Sequence, residues 1–179
     1  MTAKAHRVFF ALWPDDAVRA QISKAITPHI NSFCEKQPTA RPIPVANFHI
    51  TLAFIGNVSS ETLFCLCEQA NKINGQSFSL TLGHINYWSE PKIIWLGCDN
   101  LPDGLDKLFH TLQTNLVQCD YHSTNKTYTP HITILRNAKQ ALPEKKINPI
   151  KWGVEQFVLV ESLQSAQGTE YKIIKHWAL

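Results

Sequence analysis

An α+β fold with antiparallel sheets is the class this 179-residue sequence predicts. Three observations lead there. Segments with apolar residues at helical spacing alternate with short apolar runs of strand length. Several of those runs are joined by turns too brief for the crossovers of a parallel sheet. And one strand-like pattern, His-apolar-Thr-apolar, occurs twice, as His49-Ile50-Thr51-Leu52 and His131-Ile132-Thr133-Ile134, nearly half the chain apart.

Arg7 to Trp13 (RVFFALW) is an apolar, aromatic run and reads as a buried strand. Pro14 turns the chain and Asp15 can cap a helix. Val18, Ile22, Ile26 and Ile30 then recur every four residues, giving an amphipathic helix to about Phe33. Pro38 to Pro44 carries three prolines and reads as loop or sheet edge. Phe48 to Ile55 is the first motif strand, with Gly56-Asn57 expected to end it. Ser59 with Thr62 opens a second helix to about Ile73, stopped by Asn74-Gly75.

Phe78, Leu80 and Leu82 alternate with Ser77, Ser79 and Thr81 as in a half-exposed strand. Trp88 to Lys92 reads as a turn and Ile93 to Cys98 as the returning strand. Pro102-Asp103 begins a third helix carrying Leu105, Leu108, Leu112 and Leu116. A polar loop around His122 leads to Pro130 and the second motif strand, His131 to Leu135. Lys139 to Pro149 reads as a charged, proline-flanked loop. Phe157 to Leu163 and Tyr171 to Trp177 close the chain as a hairpin across Gln167-Gly168. No linker is visible, so residues 1–179 are expected to form one unit. Outside the motif the two halves show little similarity.

Composition bounds the function. With 44% apolar and 17% charged residues the chain is globular, and its net charge of +3 suits a nucleic-acid end or a small anion, not a duplex. Five cysteines without a C-x-x-C argue against a disulfide framework. Cys65, Cys67 and Cys98 are expected to act as small free hydrophobes in a reducing compartment. No apolar run approaches the ~18 residues of a membrane span, and the N-terminus lacks signal-peptide organisation. A cytoplasmic protein without membrane contact is expected.

The repeated pattern carries the chemistry. Roughly 0.1 occurrence of it is expected by chance in this composition, so two by accident are improbable. In a strand, alternate residues share a face. Each copy therefore points an imidazole and a hydroxyl one way and two aliphatic chains the other. Metal-free cleavage of a phosphate ester needs a base, an acid and donors for the non-bridging oxygens. Two histidines and two threonines supply that set, so His49, Thr51, His131 and Thr133 are the candidate catalytic residues. Arg136 has the right fork for phosphate, but strict alternation sends it to the face opposite His131 unless the strand bulges. Lys126 and Tyr128, in the polar loop, can reach a phosphate or a base. There is no H-E-x-x-H, no closed zinc set, no P-loop and no G-x-S-x-G elbow.

The paired motifs resemble those of the 2H phosphoesterase superfamily. The flanks narrow the resemblance. Arg7-Val-Phe-Phe-Ala-Leu followed by Pro14, Asn47 to Gly56, Ile94-Trp-Leu-Gly97, Tyr128 to Arg136, Gly168-Thr-Glu-Tyr171 and Trp177-Ala-Leu179 are similar to the bacterial and archaeal RNA 2′,3′-cyclic phosphodiesterases, also called the 2′-5′ RNA ligase family. The resemblance implies a two-lobed α+β fold with the active site in the cleft between lobes, and no cofactor. It implies hydrolysis of RNA 2′,3′-cyclic phosphate ends, tRNA-derived or from other short RNA, to 2′-phosphates by a monomer. In that scheme His131 is the proton acceptor, His49 the proton donor, and Thr51 and Thr133 hold the phosphate with Arg136. Phe9, by position, stacks on the base. The reaction can run backwards as 2′-5′ ligation. Two alternatives stay open at this point: a phosphodiesterase for a small cyclic phosphate derived from a nucleotide or ADP-ribose, and a non-catalytic single-stranded RNA or nucleotide-binding module.

Overall fold

The structure, a computed structural model, describes residues 5–123, 127–140, 144–165 and 168–179. The opening apolar run forms β1 (His6–Leu12). Helix α1 (Asp16–Lys36) follows, capped as expected: the Asp15 carboxylate accepts from the Val18 N–H at 2.7 Å. Its buried stripe is Val18, Ile22, Ile26, Ile30 and Phe33. The proline-rich stretch contributes only a two-residue edge strand, β2 (Arg41–Pro42), and a 3-10 turn, Val45–Asn47. Strand β3 (Ile50–Val58) carries the first motif. It does not stop at Gly56-Asn57; Gly56 takes a φ of +87°, open to glycine, and the strand bends there and continues. Helix α2 (Ser60–Ala70) is capped by Ser59, whose hydroxyl accepts from the Thr62 N–H at 3.2 Å. It ends before Ile73, which is buried in the turn beyond.

Strand β4 (Phe78–Trp88) is longer than its alternating segment, because Gly83 slips out of register as a bulge and pairing resumes at His84. β5 (Ile93–Cys98) and α3 (Asp103–Leu116) follow, then β6 (His131–Arg136) with the second motif. Of the segment expected to be a loop up to Pro149, the part from Lys145 onward is strand, and residues 141–143 lie outside the described residues. β7 (Lys145–Val154) pairs with β4 at the sheet edge, and its register jumps between Ile150 and Lys146. An edge strand with such a bulge tolerates lysines and a proline that lacks an N–H. The hairpin of β8 (Gln156–Ser165) and β9 (Gly168–Ala178) closes the chain; Gln167, and Lys126 before it, lie outside the described residues.

The strands among the described residues join one antiparallel sheet in the order β7-β4-β5-β6-β3-β1-β8-β9, with β2 on β6. It divides into two halves, β7-β4-β5-β6 with β2 and β3-β1-β8-β9, that meet at the motif strands through Ile50 and Ile132. The three helices and the main core lie against one face. A small cluster, Phe9, Ala11, Val158 and Val160, lies on the other. The expected two-lobed α+β architecture is the observed one. Helix α1 packs on β7 and α3 contacts both α2 and β3. One expectation fails: Cys65 and Cys119 form a disulfide, joining α2 to the 3-10 turn Val117–Cys119, while Cys34, Cys67 and Cys98 are free thiols. Packing of α2 beside α3 brings together two cysteines 54 residues apart, which spacing alone does not reveal. No helix among the described residues is long and apolar enough to cross a membrane.

Candidate active site

Antiparallel pairing of Ile50 with Ile132 fixes the geometry of the centre. Both isoleucines are fully buried in the main core. Alternation therefore sends His49, Thr51, His131 and Thr133 to the opposite, open face. The register sets His49 level with Thr133 and Thr51 level with His131, so each histidine faces the other motif's threonine.

Each imidazole is held in the same way. His49 Nδ1 lies 2.7 Å from the Asn47 carbonyl and His131 Nδ1 2.8 Å from the Thr129 carbonyl, each oxygen two residues upstream. A carbonyl only accepts, so both Nδ1 atoms carry hydrogen. That leaves Nε2 of both rings for proton transfer. Aromatic walls fix the rings further. Trp13 stacks on His49 at 5.4 Å, with Phe9 at 4.9 Å and Tyr171 at 5.4 Å. Trp88 meets His131 edge-on at 4.5 Å and Trp95 at 5.9 Å.

These walls also dry the rings. Desolvation lowers the His49 pKa to about 4; the Asn47 carbonyl opposes this, and the charges of Arg136 and His131 add to it. Desolvation lowers His131 as well, opposed by the Thr129 carbonyl and reinforced by Arg136. Both imidazoles are thus neutral at pH 7 in the free site. The shift is larger at His49, so a first proton enters the pair at His131.

Arg136 reaches the site because β6 bulges. Opposite β5, Trp95 pairs with Thr133 and Ile94 with Leu135, leaving Ile134 unpaired. Ile134 and Leu135 are both buried, and Arg136 returns to the face of His131 and Thr133. There it lines one hollow with His49 and Thr51. The first motif repeats the device. Ala11 pairs with Thr51 and Phe10 with Ala53, so Leu52 is the extra residue and Phe54 returns to the open face. In both copies the fifth residue after the histidine rejoins the site.

The remaining candidates divide. Tyr128 stacks on Phe109 at 3.9 Å, and its hydroxyl donates to the Thr51 carbonyl at 3.2 Å. Its pKa is pushed up, first by burial. Phe9 is only 3% exposed and lies against His49 and Tyr171. The accessible ring in that hollow is Phe54, 51% exposed, with the Arg7 guanidinium 5.4 Å from its centroid. Phe54 escapes a reading based on strict alternation, and the consecutive apolar pair Leu52-Ala53, like Ile134-Leu135 before Arg136, is the trace it leaves. Arg7 and Trp13 share the face of Phe9 by plain alternation, but they and Tyr171 lie on or beside strands that carry no motif to mark them. Among the described residues, no three His, Cys, Asp or Glu side chains are grouped to hold a metal ion.

A pseudo-symmetric sheet with one His-x-Thr strand from each half, the two pairing at its centre, defines the 2H phosphoesterase fold. The comparisons agree. A family model described as the 2′-5′ RNA ligase superfamily matches residues 13–165, and the chain belongs to that superfamily. It is 32% identical over 179 residues to the RNA 2′,3′-cyclic phosphodiesterase of Escherichia coli K12, covering 99% of this chain and 98% of that one. It is 27% identical to the RNA 2′,3′-cyclic phosphodiesterase of Thermotoga maritima, covering 94% and 92%. The crystal structure of E. coli LigT complexed with 3′-AMP superposes with a TM-score of 0.87 at 31% identity, over 98% of this chain and 99% of that one.

Proposed function

We propose that this protein hydrolyses RNA 2′,3′-cyclic phosphate ends, the activity that the names of its E. coli and T. maritima relatives carry, and that it leaves 2′-phosphomonoesters. The observation that carries the reading is the matched tethering of both Nδ1 atoms, which leaves two Nε2 atoms for the two proton transfers. His131 Nε2 takes a proton from water as the water oxygen bonds to phosphorus. The P–O3′ bond breaks in line, and protonated His49 Nε2 delivers its proton to the departing 3′ oxygen. Thr51 and Thr133 hydroxyls donate to the non-bridging oxygens, and Arg136 offsets their charge. An RNA 5′-hydroxyl in place of the attacking water gives 2′-5′ ligation: its oxygen bonds to phosphorus as His131 Nε2 takes its proton, and the same P–O3′ bond breaks with a proton from His49. Tyr128 serves as a positioning residue through the Thr51 main chain, and Phe9 through the His49 ring. Both lobes supply half of the site, so residues 1–179 act as one bilobed unit, monomeric in this reading.

The proton order of the free site constrains the scheme. His49 binds a proton less readily than His131, so the donor role requires the bound phosphate anion to raise its pKa. The test is incubation of an RNA bearing a 2′,3′-cyclic end with the protein and EDTA, followed by location of the phosphate. A 2′-phosphate is expected. His49→Ala and His131→Ala should each lower kcat by about 10²–10⁴-fold with folding intact. A 3′-phosphate product, or near-normal turnover in either variant, overturns the assignment.

A further inference from the structure

Two hollows leave the catalytic centre, and they differ in charge. The smaller, about 290 Å³, is lined by Arg7 and Arg136 together with Ser162, Gln164 and Thr169, and none of its lining side chains is acidic. The larger, about 690 Å³, is lined by Trp88, Phe109, Tyr121 and Tyr128 and includes Asp120; among the described residues it has no lysine or arginine. Thr51 and Phe54 wall both. Neither Arg7 nor Arg136 has a carboxylate partner among the described residues, whose ion-paired arginine is Arg19. Arg7 instead lies over the Phe54 ring, which stays half-exposed.

A nucleotide ending in a cyclic phosphate has two other exits. Its base is flat and uncharged, and its 5′ oxygen leads to a charged phosphodiester. Charge sorts them: the 5′ chain follows the arginines and the terminal base takes the aromatic hollow. We infer that the arginine-lined hollow is a subsite for the nucleotide preceding the cyclic end, with Arg7 holding its phosphodiester and Phe54 stacking its base. An oligonucleotide end is then preferred to a free cyclic mononucleotide. This inference rests on the phosphodiesterase reading above.

Turnover of a nucleoside 2′,3′-cyclic phosphate and of a dinucleotide with the same cyclic end separates the two claims. Wild type is expected to favour the dinucleotide in kcat/KM by about tenfold or more, the scale of one stacked base. Raising salt should erode that preference, because a phosphodiester contact releases counterions. Arg7→Gln and Phe54→Ala should each collapse the dinucleotide-to-mononucleotide ratio, and Arg7→Gln should also remove its salt dependence. Equal turnover of both substrates by wild type, or a ratio that survives both substitutions, overturns the subsite while leaving the phosphodiesterase reading standing. No turnover of either substrate by wild type overturns both. The wild-type ratio and its salt dependence decide the matter even where a variant fails to fold.

Discussion

A histidine whose Nδ1 is committed to a carbonyl has one nitrogen left for chemistry, and both motif histidines are in that state. The working form of such a pair holds a single proton between them, so its pH dependence reports two macroscopic constants of the pair. Both rings are depressed, His49 to about 4. Above the upper constant, which lies below 6.5, neither Nε2 carries a proton; below the lower one both do. The bell of kcat/KM, which reads the free protein, should therefore have both limbs below pH 6.5. The bell of kcat should sit at higher pH, because the bound phosphate anion favours the protonated imidazole. Arg136 lowers both rings. Arg136→Gln should accordingly move both limbs of kcat/KM to higher pH while reducing its maximum. Limbs that stay in place would show that the guanidinium does not act on the pair.

At the scale of strands and helices, the bulges decide which side chains meet. The caps Asp15 and Ser59, and the four-residue spacing of Val18, Ile22, Ile26 and Ile30, are local signals and are legible in the sequence. So are the reactive faces of β3 and β6, because alternation through His-Ile-Thr is unbroken. Arg136 and Phe54 are not legible by that rule, since Leu52 and Ile134 look like ordinary strand residues while shifting everything after them to the other face. β7 is hidden by its lysines and Pro149, and the Cys65–Cys119 pair by its separation along the chain. Gly97 on β5 shows how tightly the second histidine is walled. It pairs with His131, and a Cβ on it would strike the Trp95 indole and the His84 ring. Trp95 is itself packed on His131 and Trp88. Gly97→Ala should thus cost about 1–3 kcal/mol of stability through overpacking, and lower kcat by moving the wall of His131. Urea unfolding and steady-state kinetics check the two effects; a variant as stable and as active as wild type would show that Trp95 yields freely.

The whole molecule interlocks its halves. Helix α1 follows β1 of one half but packs on β7 of the other, and α3 follows β5 but contacts β3. The Tyr128 hydroxyl, just before β6, donates to the Thr51 carbonyl on β3, and the Lys139 N–H donates to the buried Gln37 side chain after α1. Neither half has a complete core without the other, so a single cooperative unfolding transition is expected. The dry setting of His49 gives that transition a pH dependence. In the unfolded chain this ring takes a proton near 6.5, and in the folded protein at about 4. Between those values the unfolded state binds more protons, so stability is full above pH 6.5 and falls as the pH drops towards 4. The loss from this residue is up to about 3 kcal/mol. His131, shifted in the same direction, adds to it. His49→Gln cannot titrate and should unfold with a shallower dependence over this window. Urea unfolding at pH 7 and pH 4.5 measures both slopes; equal slopes for variant and wild type would mean that His49 protonates in the fold as readily as in the unfolded chain.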